Sequence, residues 1–345
     1  MTKYFKNNKM NFKTTNSNMI YLFFMILSTM ITINSSSWIN AWMGMEINLL
    51  SFMPLMMNNS KNKIASSMMI YFIIQASASS MILFFILMMK TEFNLIKMNM
   101  ILIIIQISLM MKLGAAPLHW WMPKITIKLS WINCFFLLTW QKIAPLFLIS
   151  ISSMNLIMYT TSMSSVITGA LLGLNQTSLK LILTYSSINH LGWMLMLMML
   201  NLEILMFYFW FYFLINWMIC LYLNIMNYST LTQMFKNNKE SVHKKIISMS
   251  MFLSLGGMPP MLGFLPKFFS LELMMNNSLY FESAAFIIMA TISLSFYMNS
   301  MMSMFLFTKI NTKWNNKKFT IFSTIISILI LNILMNSVII IYYSF

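Results

Sequence analysis

From residue 19 onward the chain is a succession of apolar blocks about twenty residues long, separated by short polar stretches. They fall at 19–33, 38–57, 64–89, 98–123, 130–150, 154–173, 178–200, 204–226, 246–275, 283–306 and 320–343. A bilayer's hydrocarbon core is about 30 Å thick and needs roughly that length of helix, which satisfies its own backbone groups where no water is present. The expected fold is therefore an all-α polytopic membrane protein with about eleven spans. A basic N-terminal flank, 1–18, precedes a single transmembrane domain, 19–343. With 59% hydrophobic and only 8% charged residues among 345, the chain has more apolar surface than one soluble core could hide.

The lysines orient the spans, because they accumulate on the side that is not translocated. With eleven spans, the N-terminus and the loops near 58–63, 124–129, 174–180, 227–245 and 307–319 share one side and hold seventeen of the 22 lysines. The other side has Lys90 and Lys97, with Glu92, Glu203 and Glu282. The N-terminus is expected on the inner side. A formal charge of +16 could suggest nucleic acid, but these lysines are scattered over short loops and form no single soluble face, so no nucleic-acid partner is expected.

The rest of the composition is skewed in ways no fold demands: 43 Met, lysine without arginine, and glutamate without aspartate. AT-rich codons favour Ile, Asn, Lys, Phe and Tyr, and so many methionines point to a code in which AUA also means Met. A mitochondrial genome is the expected origin, and the methionines are read as packing. Cys134 and Cys220 lie far apart in apolar segments, which argues against a disulfide or zinc site. No phosphate-binding glycine loop, CxxC or haem-type histidine pair occurs. The chain is thus expected to hold no metal, NADH, flavin, iron–sulfur cluster or haem.

With the loop lysines set aside, Lys112, Lys142 and Lys267 remain, and one glutamate, Glu46, lies deep in an apolar block. Each costs at least ~2.5 kcal/mol at mid-membrane. Snorkelling to an interface or a buried structural pair would explain some of them. It is hardest to invoke for Lys142, which has about ten apolar residues on either side. Burial favours the uncharged forms of amines and carboxyls and brings proton exchange toward the physiological range, so such a set reads as a proton relay. His119 and His190 are further candidates, His190 being as well explained by packing.

Prolines stand beside these charges. Pro117 is expected to free the carbonyl of Leu113, Pro123 that of His119 and Pro145 that of Gln141. Open backbone at membrane depth is tolerated only where it lines protein or a watery cavity. LGAAPLHWWMPK, 113–124, and LGGMPPMLGFLPK, 255–267, share Leu-Gly, a following proline and a closing Pro-Lys, with one residue of slippage. Gly114, Pro117 and Pro123 punctuate the first; Gly256, Gly257, Pro259, Pro260 and Pro266 punctuate the second. Gly-Pro interruptions in spans four and nine, five apart, are the mark of an inverted repeat. The expected repeats run from about 19 to 150 and from about 154 to 306, with an extra C-terminal helix at about 320–343.

Five stretches, SWINAWMGMEINLLSFMP, MKLGAAPLHWWMP, LLTWQKIAP, GLNQTSLKLILTYSSINHLGWM and SLGGMPPMLGFLPKF, together resemble the antiporter-like membrane-arm subunits of respiratory complex I, the proton-pumping NADH:ubiquinone oxidoreductase. The resemblance runs from about residue 34 to 275. It implies a multi-pass subunit of the mitochondrial inner membrane, N-terminus toward the matrix, working only among other membrane-arm subunits. NADH, FMN, iron–sulfur clusters and ubiquinone would sit on other chains. It also implies roles: Glu46 facing Lys112 at the first break, Lys142 as central relay lysine, Lys267 after the second break, and His119 and His190 along a hydrated path. A free-standing cation/proton antiporter would use the same residues, and a scaffold would need none of them.

Overall fold

The computed structural model describes residues 16–57, 65–91, 95–152, 155–236, 242–259 and 261–306. Among them the chain forms α1 (Asn16–Ile33), α2 (Trp38–Met57), α3 (Ala65–Thr91), α4 (Leu95–Leu113), α5 (Trp121–Thr126), α6 (Trp131–Leu138) and α7 (Trp140–Ser152). It continues with α8 (Asn155–Gly173), α9 (Leu179–Leu200), α10 (Leu202–Met226), α11 (Leu231–Lys236), α12 (Val242–Gly256), α13 (Phe264–Asn276) and α14 (Tyr280–Leu306). No strand is present among the described residues. Six helical stretches are long and apolar enough to cross a membrane: Ala65–Thr91, Trp131–Ser152, Leu156–Gly173, Leu179–Leu200, Leu202–Met226 and Tyr280–Asn299. Most of the basic flank, Pro260 and the C-terminal block 320–343 lie outside the described residues.

By internal contacts the chain divides into two compact units. The first comprises residues up to Lys112 together with Ile143–Ile151. In it α1 packs on α2 and α2 on α3. A Cβ at Gly44 would meet the Thr32 side chain at 2.5 Å, so glycine lets these two helices approach closely. The Trp42 indole donates to the Ser79 carbonyl at 3.1 Å, and Phe52 meets the Tyr71 ring edge-on. The hydroxyls of Ser28, Thr29 and Thr32 donate to carbonyls three residues earlier, which satisfies them without water.

The second unit comprises Leu113–Lys142 and the residues from Ser152 onward. Its centre is α9, buried without interruption from Ser186 to Met198 and packed against α5, α6, α8, α10 and α13. Small residues bring α8 onto it: a Cβ at Gly169 would lie 2.6 Å from the Asn189 nitrogen, and one at Gly192 2.8 Å from the Ser162 carbonyl. One end of the unit is laced by backbone. Ser178 and Thr230 form an isolated antiparallel bridge, and the Trp131 indole donates to Tyr228 O at 3.0 Å. The Lys180 amine lies over the Trp131 ring and donates to the carbonyls of Ile127 and Leu129.

The interruptions expected from glycine and proline occur, with their cause shifted. α4 ends at Leu113 because Gly114 takes φ +69, and α12 ends at Gly256 because Gly257 takes φ +77, the left-handed region open to glycine. Six residues separate each of these glycines from the start of α5 and α13. Pro123 and Pro266 are each the third residue of their helix, where a missing N–H is harmless, and the His119 carbonyl that Pro123 was expected to free accepts from Met122 N at 3.0 Å. Pairing Gly114 with Gly257 aligns the two segments without slippage, which sets Lys267 opposite Lys124. Pro145 lies inside α7 and does not end it. The turn in that span is at Thr139, with φ −120 and ψ −67, where Lys142 N bonds Thr139 O at 3.1 Å.

Candidate functional site

In the first unit, Lys112 occupies the last turn of α4, buried at 7% exposure. Its amine lies 3.7 Å from Met45 Sδ, and its carbonyl, at the helix end, accepts from Gln75 Nε2 at 3.2 Å. Glu46, one residue after Met45 on α2, acts on that amine as a nearby charge and not as a hydrogen-bond partner. The hydrogen-bond partner of the amine is the Met45 thioether.

In the second unit, Lys142 is 1% exposed, so it does not snorkel. The side chain stands in the first turn of α7, just past the Thr139 turn. Its amine donates to the Ser187 carbonyl of α9 at 3.2 Å and to the Tyr212 hydroxyl of α10 at 3.4 Å, and lies 5.2 Å from the Tyr212 ring centroid. His190, one helical turn along α9 from Ser187, has Nδ1 2.8 Å from the Tyr208 hydroxyl, and its ring lies 5.2 Å from that of Tyr212. Lys142 and Lys267 both act on His190 electrostatically, and the ring also interacts with the Leu255 carbonyl.

That carbonyl joins the second break. Lys267, the fourth residue of α13 and 7% exposed, turns its amine back onto Gly256 O at 2.8 Å and Leu255 O at 3.5 Å. These are the last carbonyls of α12, which have no onward helical partner. Lys142, Tyr212, His190, Leu255 and Lys267 therefore form one file of neighbours inside the second unit, the link from Tyr212 to His190 being a ring contact.

His119 does not join it. It sits in the irregular stretch after α4, its ring interacts with the Pro117 backbone, and its Nδ1 is buried without a partner. The Ala116 carbonyl of the same stretch accepts from Ser164 Oγ at 3.1 Å. Lys124, which the Gly114–Gly257 pairing of the two segments sets opposite Lys267, is exposed and lies 4.8 Å over the Trp120 ring. The sequence reading missed Tyr208, Tyr212, Ser187 and Gln75. Tyr208, Tyr212 and Asn216 recur every four residues along α10, a helical spacing that could have flagged them. Both cysteines are buried and free, and no cluster of metal-ligating side chains occurs among the described residues.

Residues 35–293 match the transmembrane family described as NADH:quinone oxidoreductase/Mrp antiporter. The NADH-ubiquinone oxidoreductase chain 2 of Anopheles gambiae is 40% identical over 305 residues, covering 86% of this chain and 89% of the relative. That of Locusta migratoria is 36% identical over 299 residues, covering 86% and 87%. The chain belongs to the NADH-ubiquinone oxidoreductase chain 2 family. Solved structures carry the same fold. A chain of respiratory complex I from Thermus thermophilus superposes with a TM-score of 0.81 at 18% identity, covering 93% of this chain and 78% of that one. A chain of the membrane-bound sulfane sulfur reductase, an archaeal respiratory membrane complex, gives 0.83 at 16% identity, covering 97% and 76%. A chain 2 family member with this fold is an antiporter-like membrane protein.

Proposed function

We propose that the chain is a proton-translocating membrane-arm subunit of NADH:ubiquinone oxidoreductase in the mitochondrial inner membrane, with its N-terminus on the matrix side. The observation that carries this reading is the file of Lys142, His190 and Lys267, three titratable side chains buried together at an energetic cost that packing does not require. A scaffold has no use for such a file. The two halves, about 19–150 and about 154–306, act as repeats, each with one interrupted helix.

In the proposed mechanism, quinone reduction on another subunit alters the charge near Glu46 and Lys112. Strengthening or weakening that couple changes how readily Lys112 holds its proton. The proton then passes to Lys142 and leaves past His190 and Lys267, with His119 as a side branch at the first break. NADH, FMN, iron–sulfur clusters and ubiquinone belong to other chains of the complex. This chain's part is to hold protons on amines and an imidazole inside the membrane.

The test is Lys142→Met in the assembled complex. NADH oxidation by an artificial acceptor should stay at the parent rate, while coupled quinone reduction and proton pumping fall about tenfold or more. Full pumping would remove Lys142 from the path.

A further inference from the structure

The buried polar face of α10 has no part in the mechanism above. Tyr208, Tyr212 and Asn216 lie along it, all buried. Tyr212 is where the contacts converge. Its hydroxyl is 3.4 Å from the Lys142 amine and donates to the Leu138 carbonyl at 3.1 Å. The side chains of Ser187 and Asn216 also interact with it. The Leu138 carbonyl is available because the chain turns at Thr139: Lys142 N takes Thr139 O as its acceptor and leaves Leu138 O to the phenol.

We propose that Tyr212 is a positioning residue for Lys142, its hydroxyl holding the amine through both charge states by exchanging one hydrogen-bond partner for another. The proposal rests on Lys142 lying on the proton path. When the amine is charged, its N–H donates to the phenol oxygen, and the phenol O–H stays on Leu138 O. When the amine is neutral, its nitrogen carries a lone pair, and the O–H rotates to donate to it. The tyrosine keeps its own proton throughout; only a C–O torsion changes.

The geometry suits this exchange. A charged amine has three N–H donors, and two acceptors face it, Ser187 O and the phenol oxygen. A neutral amine has two donors and needs one donor in return, which the phenol is placed to supply. The Lys142 side chain therefore has hydrogen-bonding partners in both states without swinging away. The titratable groups around Tyr212 are Lys142 of α7, His190 of α9, Tyr208 and Cys220 of α10 and Tyr297 of α14.

The experiment is Tyr212→Phe in the assembled complex, which keeps the ring over the amine and removes the hydroxyl. NADH oxidation by an artificial acceptor should be unchanged, coupled pumping should fall about tenfold, and the pH profile of coupled turnover should move by about half a unit or more. Parental pumping with an unmoved profile overturns the proposal. So does a parallel loss of assembly and both activities with an unmoved profile in the complexes that form, the mark of a packing role. If Y212F does not assemble, Tyr212→Met, which also lacks the hydroxyl and brings no titratable group, is read by its pH profile in the same way. Lys142→Met run alongside separates the two readings. Full pumping there removes the path and this role with it, whereas a block there with a silent Y212F removes the role of Tyr212 alone.

Discussion

At the scale of single residues, the lysines of the file differ in what else they do. Lys142 touches one carbonyl and one hydroxyl, whereas Lys267 also closes the end of α12 by taking up the carbonyls of Leu255 and Gly256. Lys267→Met should therefore lower coupling and also weaken the fold, by about 1–3 kcal/mol for carbonyls left bare. The check is an earlier heat-inactivation midpoint of the assembled complex, a shift Lys142→Met should show less. Gly263 is a second such position: a Cβ there would come 1.7 Å from the Ser254 carbonyl oxygen, so Gly263→Ala should reduce assembled complex on a native gel severalfold. The buried charges were legible in the sequence because lysine and glutamate stand out in apolar runs. Tyr212 was not, because 13 tyrosines and 29 phenylalanines in an AT-biased composition make one more aromatic uninformative. Only the hydroxyl's neighbours, drawn from three other stretches of chain, reveal it.

At the scale of helices, the presence of the interruptions could be read from sequence but their hinge points could not. Gly-Pro clusters announced interruptions somewhere within 113–124 and 255–267; the helices end at Leu113 and Gly256. Proline's missing N–H, however, matters only beyond the first turn of a helix, and Pro123 and Pro266 fall within it. The turn at Thr139 carries no glycine or proline and left no signal. Close packing of α8 on α9 gives a separate prediction. Gly192→Leu would drive a side chain into Val166 and the Ser162 carbonyl and should cost about 2 kcal/mol or more, seen as a lower steady-state level of the chain in membranes. Gly169 and Gly173 lie against two different helices, Gly169 against α9 and Gly173 against Phe296 of α14.

At the scale of the whole chain, apolar block length gave the fold class, because the thickness of a bilayer sets a ruler that no codon bias erases. It could not show which helices face lipid, since a buried and a lipid-bathed span have the same composition. A chain of this family working only among other subunits should co-migrate with complex I on a native gel; migration alone would favour a free-standing antiporter. The enclosure of α9 has a further consequence. In its most apolar window 89% of residues are buried, against 33% for α3 and 28% for Tyr280–Asn299. Exchanges of isoleucine and methionine by single-base changes have almost no room on α9. Among individuals of one population, neutral variants should be scarcer there than over the rest of the chain.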